Sequence, residues 1–206
     1  MSATYTEYKN SAETAERNKD HSEAQRMWHK ALEEARGFGK DDGRYCFCLE
    51  SIAHLYFEQD HSDRAEGLYQ EALDLRKAHD ISNKKDLATA MANLATVQFK
   101  SGHYDEAEKN YSDALTIVEK ENGASSKEVA SITYQIGMIY HKQKKYPQAE
   151  DFYKKALDIK NKVFGPNHVE LIHILRNYAN LLKNTGREST ADQMYQFAES
   201  IEKKNA

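Results

Sequence analysis

Asn93, Gln135 and Asn177 stand 42 residues apart, and Ser51 and Asn10 continue the series at intervals of 42 and 41. Four of these five residues are side-chain amides. An amide carries two N–H donors and an oxygen with two lone pairs, so it can bracket a peptide group and hold a backbone whatever its sequence. The local alternative is that these amides bond to a neighbouring helix. Other side chains gather around the column. Phe47, Phe57, Phe99 and Tyr134 are flat apolar anchors. Lys100, His141, Lys142, His173, Arg176 and Lys183 make the C-terminal half basic, while Lys9, Glu13, Glu16, Arg17, Glu50 and Glu58 leave the N-terminal half mixed and leaning acidic. This is chemistry for binding. A basic end beside aromatic anchors suits a peptide with an acidic segment next to a bulky apolar residue, with charge speeding encounter and the anchors supplying affinity.

The remaining reactive residues lack the spacing their chemistry needs. Cys46 and Cys48 are two apart, which suits neither a structural disulfide nor a four-ligand zinc site; Cys48 is expected to pack inward as an inert thiol. The nine histidines form no His-x3-His or Cys/His cluster, so no metal site is expected. Gly37-Phe38-Gly39-Lys40-Asp41-Asp42-Gly43 misses the dinucleotide spacing and follows no strand; it reads as a loop. No Ser-His-Asp or Cys-His set stands out, so neither a catalytic residue nor a cofactor is expected. The formal charge of −4 argues against nucleic acid, which wants a basic face. No run of about 18 apolar residues exists to insert in a membrane. The N-terminal MSATYTEYKN has no apolar stretch of the kind a signal peptide carries, and a cytoplasmic location is the expectation.

The elements that position these residues repeat. Ala24-x3-Trp28-x2-Ala31-Leu32 recurs as Ala65-x3-Tyr69-x2-Ala72-Leu73, Ala107-x3-Tyr111-x2-Ala114-Leu115, Ala149-x3-Tyr153-x2-Ala156-Leu157 and Ala191-x3-Tyr195-x2-Ala198, with Glu199 in place of the last Leu. A fixed period over five copies marks a solenoid. Residues three and four apart share one helical face, where small side chains let helices approach and the ring fills the gap beside them. Before each of the last four copies lies another amphipathic segment, such as Ser51 to Tyr56 or Gln135 to Tyr140. Turn residues separate the two, at Gln59-Asp60-His61, Ser101-Gly102-His103, Lys144-Lys145 and Thr185-Gly186. Each unit is therefore a helix, a tight turn and a helix. Loops between units are placed at Gly37 to Arg44, His79 to Asp86, Glu121 to Lys127 and Gly165 to Val169.

Ile136-Gly137-x2-Tyr140, followed by Ala149, Tyr153 and Ala156, resembles the skeleton of the tetratricopeptide repeat. The common repeat has 34 residues and a Pro after the second helix; here the period is 42 and that place holds Arg36, Lys77, Glu119 or Asn161. Gly102-His103-Tyr104-Asp105-Glu106-Ala107-Glu108 and Phe164-Gly165-Pro166-Asn167-His168-Val169-Glu170 are similar to the repeats of kinesin light chains and their bacterial relatives. The resemblance implies an all-α, right-handed superhelix of about five repeats, near 5–40, 46–80, 88–122, 130–164 and 172–204, forming one domain over 1–206. It implies that the first helices line a concave groove for an extended peptide or a partner's helix, with the amide column on the ligand backbone. The candidate groove residues are Asn93, Gln135, Asn177, Asn180, Phe57, Phe99, Lys100, Tyr134, His141, Lys142, His173, Arg176 and Lys183. One sub-family holds a ligand's terminal carboxylate with Lys, Asn and Arg, and Arg176 and Asn180 have that chemistry; the matching Lys9 and Glu13 of the first repeat do not, since Glu13 repels a carboxylate. The expected function is an adaptor or scaffold for protein partners. Its rivals are a peptide-responsive regulator and a homo-oligomer joined through its terminal helices.

Overall fold

The computed structural model describes residues 4–40, 42–79 and 83–205. Asp41 of the glycine-rich loop, and residues 80–82 of the loop placed between His79 and Asp86, lie outside the described residues. The elements are α1 (Tyr5–Arg17), α2 (His21–Arg36), α3 (Gly43–Glu58), α4 (Ser62–His79), α5 (Lys84–Ser101), α6 (Tyr104–Asn122), α7 (Lys127–Lys142), α8 (Tyr146–Phe164), a 3-10 turn (Val169–Leu171), α9 (Ile172–Asn184) and α10 (Glu188–Asn205). No strand occurs among the described residues. The chain divides into two compact units, Met1–His103 and Tyr104–Ala206. The division falls in the turn after Ser101, so α5 closes the first unit and α6 opens the second.

Within each unit a helix packs mainly on its neighbours in sequence, α1 through α5 in the first and α6 through α10 in the second. The small residues of the repeat make this possible. Ala24, Ala31, Ala65, Ala72, Ala107, Ala114, Ala149, Ala156, Ala191 and Ala198 are all fully buried, and Trp28, Tyr69, Tyr111 and Tyr153 fill the space beside them. Tyr195 in α10 departs from the pattern and is only half-buried. Gly137 shows how close the helices come: a Cβ there would lie 2.9 Å from the Tyr153 ring and 3.2 Å from the Phe152 Cβ.

The turns inside the helix pairs share one construction. Lys19, Asp60, Gly102, Lys144 and Gly186 occupy the same register, and all five have positive φ, from 58° to 85°. The next residue's N–H reaches back to a carbonyl of the preceding helix, as Asp20 to Ala15, His61 to Tyr56, His103 to Gln98, Lys145 to Tyr140 and Arg187 to Leu182, each at 2.9 Å. This closes the helix end with a left-handed residue and satisfies an otherwise orphaned carbonyl. Only glycine enters that conformation without a Cβ penalty of roughly 1–2 kcal/mol. Lys19→Gly is accordingly expected to stabilise the first unit by about 0.5 kcal/mol, the strain relieved less the extra freedom glycine gains when unfolded. A urea midpoint at or below that of the parent would refute the strain.

In the second unit Glu150 of α8 ties the later helices together. Its carboxylate accepts from Arg187 at 2.6 and 3.1 Å and from the Tyr178 hydroxyl at 2.9 Å, with Lys154 Nζ at 2.7 Å. The Arg187 guanidinium first, with Lys154 and Tyr178, holds this carboxyl at about 2. A carboxyl depressed in the folded state contributes stability above its unfolded value, near 4.5, and loses that contribution as pH falls toward about 2. Arg187 is 42% exposed, so solvent screening limits the contribution to about 1 kcal/mol. Glu150→Gln should lower stability at pH 7 by this amount and flatten its acid dependence. An acid limb with the parent's slope would count against the assignment.

Candidate ligand-binding face

A cavity of about 320 Å3 opens where α7, α8 and α9 meet. Met138, His141 and Lys142 share a face of α7 because they lie three and four residues apart, and they line one wall. Asn177, Asn180 and Asn184 form the wall on α9, again at helical spacing. Lys144 comes from the turn, and Tyr146 and Tyr153 from α8. Two lysines, a histidine, two tyrosines and three amides line the cavity, with no carboxylate among them.

The hydrogen bonds order these side chains. His141 Nδ1 lies 3.1 Å from the Tyr153 hydroxyl, and its Nε2 lies 3.1 Å from Asn184 Nδ2. An amide nitrogen can only donate, so Nε2 is the accepting nitrogen and Nδ1 carries the proton toward Tyr153. The hydroxyl of Tyr195 donates to Asn180 Oδ1 at 2.5 Å, and Asn177 Nδ2 donates to the Tyr134 hydroxyl. Burial, and next the neighbouring Lys142 charge, push the His141 pKa below its ordinary value. Both effects disfavour the imidazolium form of His141. Burial raises Tyr134 and Tyr153, and both keep their phenolic protons.

Tyr134, His141, Lys142, Asn177 and Asn180 come together at this cavity or one bond from it. Other residues expected of the groove lie elsewhere. Lys183 stands over the Tyr195 ring at 4.8 Å and 3.5 Å from Asp192. Arg176 pairs with Glu202 at 2.8 Å, and His173 is exposed at the start of α9. Asn93, Phe57, Phe99 and Lys100 belong to the first unit, where Lys100 reaches Asp60 at 2.5 Å and covers the Phe57 ring at 4.6 Å. Glu50, also in the first unit, is taken by Arg76 through two 2.8 Å bonds. The amide column is divided in its bonding. Asn177 is engaged internally, while Asn93 and Gln135 are half-buried and make no side-chain hydrogen bond among the described residues. Residue spacing alone does not single out Met138, Lys144, Tyr146 or Asn184. Asn184 carries the one usable signal, standing one turn beyond Asn180 on the face of Asn177. Tyr153 packs as its repeat position predicts, yet its hydroxyl also meets His141. Cys48 is fully buried, and burial pushes its thiol up to about 12.

Two models described as tetratricopeptide repeat match the sequence, one over residues 2–78 and 128–203 and the other over 92–163. The chain belongs to the tetratricopeptide repeat family. Its repeats generally serve protein–protein interaction, and its members are typically non-enzymatic scaffolds. Among solved structures, BtubC (BKLC) from P. vanneervenii is similar, with a TM-score of 0.84 at 22% identity over 96% of this chain and 79% of that one. A Podosopora anserina protein with nearly identical TPR-like repeats of kinesin-light-chain type gives 0.84 at 13% identity, covering 100% and 99%. MamA from residue 41 onward, from Desulfovibrio magneticus RS-1, gives 0.72 at 18% identity, covering 99% and 98%. At these identities the likeness is one of fold: an all-α tetratricopeptide solenoid with kinesin-light-chain-like repeats. No curated protein sequence matches the chain significantly. Among the described residues, no helix is long and apolar enough to cross a membrane.

Proposed function

We propose that this tetratricopeptide chain is a cytoplasmic adaptor, and that the first helices of each compact unit hold a peptide segment of a protein partner. The observation that carries this reading is the α7–α9 cavity, which is rich in amides and lysines and lined by no carboxylate. In the first unit Asn93 supplies an amide for a ligand backbone, with Phe57 and Phe99 as anchors; in the second, Gln135 supplies the amide and Tyr134 the anchor. Lys142 and Lys144 favour an acidic segment at the cavity. The decisive comparison is affinity capture from the native host's lysate with the parent, an Asn93→Ala/Gln135→Ala variant and a Lys142→Glu variant. All three changes fall on half-buried or exposed side chains without described internal bonds, so the fold should persist, as circular dichroism would verify. A partner bound by the parent and reduced at least about tenfold in both variants, a change of 1.4 kcal/mol, would support the groove. Equal retention would move the contact elsewhere and remove these residues from the site.

One observation favours self-association as a second reading. Phe197 of α10 is 39% exposed at the register where α2, α4, α6 and α8 carry Lys30, Glu71, Asp113 and Lys155. Light scattering over a range of concentrations, with Phe197→Lys as the control, separates a dimer from a monomeric adaptor.

A further inference from the structure

We infer that the α7–α9 cavity is a proton-linked anion site, taking up the carboxylate or phosphate group of a ligand together with a proton on His141. The inference rests on the adaptor reading for the source of the anion and adds to it the chemistry and the regulation of one subsite.

The charged and titratable groups around His141 all point the same way. From α7 comes Lys142, from the turn Lys144, and from α8 Tyr146 and Tyr153, with Tyr134 of α7 behind the Tyr153 ring at 5.9 Å; α9 contributes amides, and its Lys183 is drawn toward Asp192. No acid faces the imidazole from any of these elements. Lys142 and Lys144 are exposed at the cavity and no carboxylate lines it, so an anion there meets two positive charges and no acid, with the attraction moderated by solvent. Donors remain for it. Asn180 lines the cavity, and with its Oδ1 taken by the Tyr195 hydroxyl its Nδ2 makes no hydrogen bond among the described residues.

His141 supplies the linkage. In the ligand-free arrangement its Nε2 accepts from Asn184, and burial and Lys142 oppose its protonation. A proton on Nε2 would face the Asn184 NH2 donor to donor. A half-turn of that amide presents Oδ1 instead and removes the conflict. With an anion in the cavity, the added imidazolium charge becomes an attraction rather than a third repulsion. The anion therefore raises the pKa of His141. By reciprocity, affinity for the anion must rise as pH falls through the interval between the free and bound values. The rise is at most about tenfold per pH unit for one proton.

The test is isothermal titration of the full chain at pH 7.5 and 5.5 with two probes, inorganic sulfate, which stays a dianion throughout, and a blocked hexaglutamate peptide. The expected result is a severalfold or greater gain in affinity at the lower pH that is lost in His141→Gln. The probe that shows it names the source, sulfate a free oxyanion and the peptide a side-chain carboxylate in the groove. Proton NMR of the His141 ring in the parent gives an independent readout: its titration midpoint must move upward when sulfate or the peptide replaces chloride. Affinities that do not change with pH, a gain that survives in His141→Gln, or an unmoved midpoint would each overturn the inference. Linkage seen with sulfate while partner capture ignores Asn93, Gln135 and Lys142 would uphold the site and sink the adaptor groove. Capture that depends on those residues without proton linkage would sink this inference alone.

Discussion

Trp28→Ala is expected to cost the first unit about 3–5 kcal/mol, the range for emptying a large aromatic site in a packed interior. Trp28 is 1% exposed, sits among Ala24, Met27, Ala31, Cys48 and Ile52, and meets the Phe47 ring edge-on at 5.5 Å. Its indole N–H donates to Glu16 at 2.8 Å, so truncation also leaves that carboxylate without its donor. The neighbours are rigid helix backbones joined by short turns, and they cannot collapse far into the space. Trp28→Tyr should cost less than half as much, because Tyr occupies this register in α4, α6 and α8. Trp28 is the single tryptophan, so unfolding must be followed by far-UV circular dichroism rather than fluorescence. A Trp28→Ala midpoint matching the parent would mean that the aromatic column does not hold the helix pairs together.

Ala149→Leu should be nearly as damaging, at about 3 kcal/mol, the upper part of the usual range for overpacking. Ala149 is fully buried against Tyr153, Tyr178, Ala179 and Leu182, and this position is Ala in all five copies. Added methylenes find no void and must force α8 away from its neighbours. Tyr153 and Tyr178 would move with it, so the Tyr153–His141 bond and the cavity above it should be lost together with stability. Asp151→Leu, two residues on and exposed, is the control, expected within about 0.5 kcal/mol of the parent. Equal behaviour of the two variants would show that the helical register is wrong.

Trp28 and Ala149 are both legible in the repeat pattern of the sequence. A solenoid repeats its packing, so a buried residue in one copy is written again a period later, and five copies turn a weak pattern into a firm one. The alternation of Ala with Trp or Tyr marks the second helices, and the large–small–aliphatic segments mark the first. The positions of the turns are also visible, but not their geometry. Lys19, Asp60 and Lys144 hold the same left-handed backbone as Gly102 and Gly186, and nothing in a lysine announces positive φ. Only the helix-closing bond that every turn makes reveals it.

The site is legible in outline. The amide column and the basic C-terminal half are matters of residue type and register, and both follow from sequence. Which amides are free to meet a ligand is not, because that depends on neighbours a full period away. Asn177 is bonded to the Tyr134 hydroxyl 43 residues earlier, Asn184 to His141 at the same separation, whereas Asn93 and Gln135 keep their amides unspent among the described residues. Arg176 and Lys183 carry the charge expected of them but direct it toward Glu202 and Asp192 on α10. Sequence alone determined the family, the helix pairs and the chemistry available on their first helices, because periodic burial is written in every copy. Tertiary structure alone decided which of those side chains share a cavity and what state His141 takes within it, because hydrogen-bond partners and desolvation arise only when distant turns of the chain are packed side by side.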